Sequence, residues 1–219
     1  MPISTNNYEF SYENGEPIHH HSYLLNPILK LIQLGKNLKP EQKLKILDLG
    51  CGNGSLTHKI AQQGYEVTGI DDSTSGLLYA RQNFSQCKFI QASVYNLPDD
   101  NLTGSFDVVV TAEVIEHLLY PRELLRAAKK CLKPGGQLII TTPFNGYWKN
   151  LAISLLGKMD QHYTALWDGG HVKFFSVATL SQLLKEEDFT RINFKFGGRF
   201  PWLWKSMVCS CFTVDTEDK

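Results

Sequence analysis

Two spacings of apolar residues alternate along the chain. Short apolar runs predict buried strands, and the stretches between them repeat apolar residues every three or four positions, which predicts helices with one buried face. This alternation predicts a single α/β domain over residues 1–219, with a doubly wound parallel sheet and helices on both faces. The predicted strands are 45–49, 65–70, 88–91, 105–112, 137–142, 191–196 and 207–212.

Two segments do not fit this regular alternation. The first is residues 1–40. Its first 17 or so residues are rich in Asn, Ser, Glu and Pro and are expected to be loosely packed, and the rest continues into an amphipathic helix that Pro27 could interrupt. The second, residues 143–175, is too long for a plain connection, and its part 147–159 has helical apolar spacing. We therefore expect 143–175 to form a cap over the substrate.

The first predicted strand leads directly into a glycine turn. Asp48 lies near the end of this strand, and Gly50, Gly52 and Gly54 follow it, so a ligand could lie against the backbone without meeting a Cβ atom. The spacing GxGxG differs from the GxGxxG of dinucleotide sites. Ser55 is the expected N-cap of the next helix.

These residues resemble the signature of the class I S-adenosylmethionine-dependent methyltransferases, (V/I/L)-x-(D/E)-x-G-x-G-x-G. The resemblance implies strand order 3-2-1-4-5-7-6 with the last strand antiparallel, a transferase activity and S-adenosyl-L-methionine as cofactor. It also implies that Asp71, at the end of the second strand, accepts hydrogen bonds from the ribose hydroxyls. Ser93 stands where the family usually has an acid for the adenine amino group, so Ser93 or the backbone of Val94 is expected there. The implied cofactor-binding set is Asp48, Gly50, Cys51, Gly52, Asn53, Gly54, Asp71, Asp72, Ser93, Val94 and Glu113.

A second cluster of ionisable residues follows the fourth strand. Glu113, Glu116 and His117 would point the same way on one turn of helix, and they lie at the edge where the cofactor is expected. Two carboxylates and an imidazole can bind a divalent metal, for which His171 is the expected fourth ligand. Without a metal, His117 or His171 would act as general base, with Glu116 beside them.

The sequence EVIEHL narrows the resemblance. Together with TTPFN and the later His171, it is similar to the ubiquinone-biosynthesis O-methyltransferases and to the 2′-O-methyltransferases of small RNA. Those groups imply a divalent cation such as Mg²⁺ on Glu113, Glu116, His117 and His171. Many other class I methyltransferases carry the same motif without a metal. With or without a metal, the site is expected to favour O-methylation of a small-molecule hydroxyl, on a phenol, quinol or sugar, over N- or C-methylation.

Composition bears on partners and location. The net charge is zero and no long Lys/Arg run is present, which argues against a nucleic-acid partner such as an RNA substrate. Five cysteines without a CxxC pair, and no signal peptide or membrane-length apolar run, predict a cytoplasmic protein. All four Trp lie in the carboxyl-terminal half, which suggests a planar or apolar acceptor, and the run 200–204, FPWLW, could touch a membrane surface. The run His19–His21 is a candidate lid over cofactor or substrate.

Overall fold

The computed structural model describes residues 10–12, 21–34, 43–98 and 101–214. Seven strands form one sheet in the order β3-β2-β1-β4-β5-β7-β6, in which β7 runs antiparallel to its neighbours. The predicted order and the antiparallel last strand are confirmed. The strands are β1 (Lys45–Leu49), β2 (Glu66–Asp71), β3 (Lys88–Gln91), β4 (Phe106–Ala112), β5 (Leu132–Pro143), β6 (Thr190–Gly197) and β7 (Ser206–Phe212).

Helices cover both faces of this sheet. Successive strand residues point to opposite faces, so Ile46 packs in one apolar cluster with α1 and α2, and Leu47 packs in the other with α4 and α7. Val108 and Val109 divide in the same way. The helices are α1 (His21–Leu34), α2 (Ser55–Ala61), α3 (Thr74–Asn83), α4 (Pro121–Cys131), α5 (Tyr147–Leu155), α6 (Met159–Tyr163) and α7 (Val177–Glu186), and a 3₁₀ turn spans Ile115–His117.

Four local expectations need correction. Helix α1 continues through Pro27, because its apolar face is buried against the sheet on both sides of that residue. The N-cap of α2 is Gly54, whose φ of 74° is left-handed, so Ser55 is already helical. Strand β5 begins at Leu132 rather than residue 137, with an irregular register opposite Phe106 and Val108. In the amino-terminal segment, residues 10–12 are packed against the domain, whereas residues 1–9 and 13–20 lie outside the described residues.

Candidate functional site

The carboxyl ends of β1, β2 and β4 open into a cavity of about 810 Å³. This volume lies in the range of roughly 300–1,000 Å³ that is usual for small-molecule sites. One half of the cavity is bounded by the glycine turn and acidic residues, and the other half by histidines and aromatic rings. Its wall includes Tyr12, Asp48, Gly50, Gly52, Asp71, Val94, Glu113, His117, Trp167 and His171.

The glycine turn is held against β2 by its backbone. The amides of Gly50 and Cys51 both donate to the carbonyl of Ile70, at 2.8 and 2.9 Å. Gly50 has a φ of 85°, and a Cβ atom there would lie 2.4 Å from Cγ2 of Val114. Glycine is therefore required at this position by both conformation and space.

Two buried carboxyl groups face this turn. Asp48 Oδ2 accepts from Thr57 Oγ1 at 2.6 Å, while Oδ1 has no hydrogen-bond partner among the described residues. Burial raises the pKa of Asp48 to about 7. Asp71 accepts from the amides of Gly52 at 2.7 Å and Ser73 at 2.8 Å, and burial raises its pKa to about 6. The Asp72 amide also contributes a hydrogen bond, and a carboxylate that can accept about four in all keeps capacity for a further donor.

The other expected cofactor residues divide into two groups. Cys51, Asp72 and Val94 line the cavity. Asn53 is buried behind the turn, where its side-chain oxygen accepts from the Ser55 amide at 3.3 Å. Ser93 is absent from the described wall of the cavity, and its Oγ accepts from the Tyr95 amide at 3.3 Å.

Glu113 does not share a helical turn with Glu116 and His117. Its φ of 56° is left-handed, and the 3₁₀ turn begins only at Ile115, so the expectation of three side chains on one helix face is wrong. The Glu113 carboxyl accepts from Thr141 Oγ1 at 2.8 Å and from Ser206 Oγ at 3.3 Å. Burial raises the pKa of Glu113 to about 7.

Glu116, His117 and His171 do come together, with ligand-type atoms all within 4.8 Å of one another. Glu113, the fourth residue of the predicted metal set, is not part of this group. Glu116 is fully buried; its Oε2 accepts from Thr142 Oγ1 at 3.0 Å, and its Oε1 has no hydrogen-bond partner in the described structure. Burial raises the pKa of Glu116 well above its usual value.

The two histidines are neutral near pH 7. Burial lowers the pKa of His117, and burial together with neighbouring positive charge lowers the pKa of His171 to about 4. The 4.0 Å approach of His171 Nε2 to Glu116 Oε1 is therefore not an ion pair at neutral pH. His117 Nδ1 lies 2.8 Å from the carbonyl of Gly169, which can only accept, so Nδ1 carries the proton and Nε2 keeps a lone pair.

The segment 143–175 packs onto this cluster. Helices α5 and α6 lie within it, and beyond them the amides of Val172 and Lys173 donate to the carbonyl of Glu116 at 2.8 and 3.0 Å. The ring of Trp167 lies edge-on to His117, with centroids 5.7 Å apart. His117, Trp167 and His171 therefore share one wall of the cavity.

Phe10, Tyr12 and His21 are among the wall residues that sequence reasoning missed or left open. Phe10 and Tyr12 line the cavity although they belong to a segment expected to be loose; their only signal was aromatic character in a polar stretch. Of the run His19–His21, only His21 is described: it is buried, lines the cavity, and its Nδ1 lies 2.9 Å from Ser55 Oγ.

Among the described helices, none is both long and apolar enough to cross a membrane.

Comparisons with known proteins agree with this geometry. A family model described as a methyltransferase domain matches residues 19–193. The ubiquinone biosynthesis O-methyltransferase of Psychrobacter arcticus is 33% identical over 155 residues, which are 67% of this chain and 59% of that protein. The enzyme of the same name from Caulobacter vibrioides is 38% identical over 122 residues, or 54% of this chain and 48% of that protein. The chain thus spans about half the length of the curated relatives it matches.

Solved structures agree on the fold. The magnesium protoporphyrin IX methyltransferase of Synechocystis PCC 6803, solved with bound SAH, has a TM-score of 0.64 at 18% identity, over 89% of this chain and 83% of that one. A putative methyltransferase of Bacillus halodurans has a TM-score of 0.65 at 15% identity, over 86% of this chain and 99% of that one. At these identities the likeness concerns architecture alone.

Proposed function

The chain belongs to the methyltransferase domain family, and on that premise we propose that it transfers the methyl group of S-adenosylmethionine to a hydroxyl of a small molecule. The observation that carries the proposal is one cavity with two unlike halves. The half at β1 and β2 offers carboxyl groups and a glycine turn, and the half at β4 offers an imidazole with a fixed tautomer. The first suits a charged nucleoside ligand, and the second suits removal of a proton.

The acidic half fits the cofactor chemically. S-adenosylmethionine presents an ammonium group and ribose hydroxyls as donors, and the carboxyl groups of Asp48 and Asp71 both line this half of the cavity. The residues that would hold it are these two, with Cys51, Asp72, Val94 and the glycine turn. Glu113 lines the boundary with the other half and completes the acceptor set.

The bound cofactor supplies an electrophilic methyl carbon, and the protein's task is to position and deprotonate the acceptor. His117 performs the second task, because its proton on Nδ1 leaves the lone pair on Nε2 and burial favours the neutral imidazole. The buried carboxyl of Glu116, whose raised pKa favours the neutral acid, lies 4.0 Å from His171 and is a positioning residue beside the proposed base. The cap residues 143–175 form the acceptor wall through Trp167 and His171.

A metal-assisted variant of this mechanism uses Glu116, His117 and His171 as ligands. A metal would lower the pKa of the acceptor hydroxyl. One carboxylate and two imidazoles favour a borderline transition metal over Mg²⁺, which prefers oxygen ligands. The two mechanisms are separated by turnover after EDTA treatment, with Mg²⁺, Mn²⁺ and Zn²⁺ added back singly. Unchanged turnover under chelation supports His117 as a metal-free base. Loss of turnover with EDTA and its recovery when a metal is added back support the metal-assisted mechanism.

A phenol or quinol is the favoured class of acceptor. The relatives are named for O-methylation in ubiquinone biosynthesis, and the aromatic wall suits a planar ring. An RNA 2′-hydroxyl is the second candidate, but the net charge of zero offers little attraction for phosphates. A screen of cofactor turnover against catechols, quinols, nucleotide sugars and short RNA distinguishes them. Methylation of an amine or carbon alone would replace the O-methyl assignment.

An apolar acceptor would be reached at a membrane surface. The cap and the β6–β7 hairpin expose large apolar side chains, and the hairpin tip 198–205 contains two basic and no acidic residues. We propose peripheral contact with anionic lipid, tested by sedimentation with phosphatidylglycerol or phosphatidylcholine vesicles. Binding to the anionic vesicles, reduced in Trp202→Ser, supports the contact; no binding of the wild type rules it out.

The five cysteines, all buried and unpaired, fit a reducing cytoplasm.

A further inference from the structure

Phe10 and Tyr12 line the cavity and contact both of its halves. We call residues 10–12 the strap. At one end, the Tyr12 amide donates to Ser75 Oγ at 3.0 Å, and at the other, Ser73 Oγ donates to the Phe10 carbonyl at 2.6 Å. Ser73 also donates its amide to Asp71, so the strap is fastened to the same turn that orients the Asp71 carboxylate. The strap is therefore held by specific hydrogen bonds rather than by apolar contact alone.

The two aromatic rings of the strap face different halves. The Tyr12 ring packs on the glycine turn, where a Cβ atom on Gly52 would lie 2.2 Å from its hydroxyl. The Phe10 ring lies with its centroid 6.3 Å from that of His117 and 6.0 Å from that of Trp167. The rings also contact each other, at a centroid distance of 5.0 Å.

The strap forms a wall and leaves the cavity open. With Phe10 and Tyr12 in place, about 810 Å³ remains, enough for a nucleoside cofactor and a small planar acceptor together. The pKa of Tyr12 is raised by burial and by Asp71, so its hydroxyl stays protonated beside the carboxylates. A neutral ring at this position can cover a ligand bound to Asp71 without opposing its charge.

We infer that the strap is a part of the site with two separable tasks: Tyr12 retains the nucleoside cofactor, and Phe10 shapes the subsite of the acceptor ring beside His117 and Trp167. The inference rests on the proposed function. Cofactor retention and acceptor choice are thereby assigned to neighbouring residues of one short segment.

Two variants separate the tasks. Tyr12→Ala is expected to raise the Kd of S-adenosylhomocysteine at least fivefold by calorimetry. Phe10→Leu is expected to raise the acceptor KM at least fivefold and to change that Kd less than twofold. The matched controls are Tyr65→Phe and Phe84→Leu, neither of which lines the cavity, and both should leave the Kd and KM within twofold of wild type.

A measurement on the wild type covers the case in which a variant does not fold. Hydrogen exchange of the Tyr12 amide, which donates to Ser75 Oγ, should slow at least fivefold when S-adenosylhomocysteine is added. Unchanged exchange, or unchanged Kd in folded Tyr12→Ala, overturns the role of Tyr12; unchanged KM in folded Phe10→Leu overturns that of Phe10. If the wild type itself does not bind S-adenosylhomocysteine, the proposed function fails instead, so the two failures are distinguishable.

Discussion

The Nδ1 atom of His117 lies 2.8 Å from the carbonyl oxygen of Gly169, 52 residues further along the chain. A backbone carbonyl of the cap thus selects the tautomer of the imidazole at the end of β4. The contact favours the tautomer with the lone pair on Nε2. The proposed role of His117 as a base therefore depends on a segment that is distant in sequence.

Removal of this imidazole should abolish transfer but leave cofactor binding intact. For His117→Ala we expect kcat to fall by about 10²-fold or more, as for loss of a general base. The Kd of S-adenosylhomocysteine should stay within twofold, because the glycine turn and Asp71 are untouched. His58→Ala is the control, since His58 stacks on Phe84 and does not line the cavity. A variant that keeps most of its kcat contradicts the assignment.

Cofactor affinity should depend on pH through Asp71. Its pKa is raised to about 6 in the ligand-free site by burial, and only the ionised form offers both oxygens to hydroxyl donors. Acidification through pH 6 should therefore weaken binding. Asp71→Asn should cost about 1–3 kcal/mol of binding free energy at pH 8, a difference that shrinks below pH 6. Calorimetry across pH 5–8 checks this, and a constant difference would mean that Asp71 does not titrate in this range.

The ionised carboxylate of Asp48 should lower the stability of the fold and strengthen cofactor binding. Burial raises the pKa of Asp48 in the folded protein to about 7, above its pKa in the unfolded chain. The free energy of unfolding should therefore fall as the pH rises from the unfolded pKa to about 7, and the full loss is present above pH 7. Asp48→Asn should raise the free energy of unfolding by about 1–2 kcal/mol at pH 8, with little gain at pH 4, and should weaken cofactor binding. Urea unfolding at the two pH values measures the effect. Equal gains at both would show that the charge is not the cause.

Two glycines allow the cost of a left-handed backbone to be separated from the cost of a steric clash of an added Cβ atom. Gly50 and Gly64 have similar φ values of 85° and 89°, but a Cβ atom at Gly64 would meet nothing within 4 Å, whereas one at Gly50 would meet Val114. Gly64→Ala should cost roughly 1–2 kcal/mol of stability for the left-handed backbone alone. Gly50→Ala should cost more and should also weaken cofactor binding. Equal unfolding free energies for the two variants would contradict the collision.

The strands, and the placement of the glycine turn and Asp71 at one edge of the sheet, were predictable from sequence because they depend on local patterns. Buried parallel strands produce apolar runs, and the turn at Gly50 and the acid at Asp71 follow their strands directly. The half of the cavity lined by histidines and aromatic rings was predicted only in part. The left-handed φ of Glu113 turns it toward Thr141 and Ser206, residues of β5 and β7 whose proximity depends on the assembled sheet. Phe10 and Tyr12 could not be placed for the same reason, since their partners lie more than sixty residues away.

The central claim is acceptor-dependent methyl transfer to oxygen, and its most direct measurement is the release of S-adenosylhomocysteine by the wild-type chain. The chain is incubated with S-adenosylmethionine and a panel of catechols, quinols, sugars, amines and short RNA, and each product is identified by mass spectrometry. We expect release with a phenolic or quinol acceptor, an O-methyl product, and loss of both in His117→Ala. Tight cofactor binding without release from any acceptor, or methyl groups found only on nitrogen or carbon, would contradict the account.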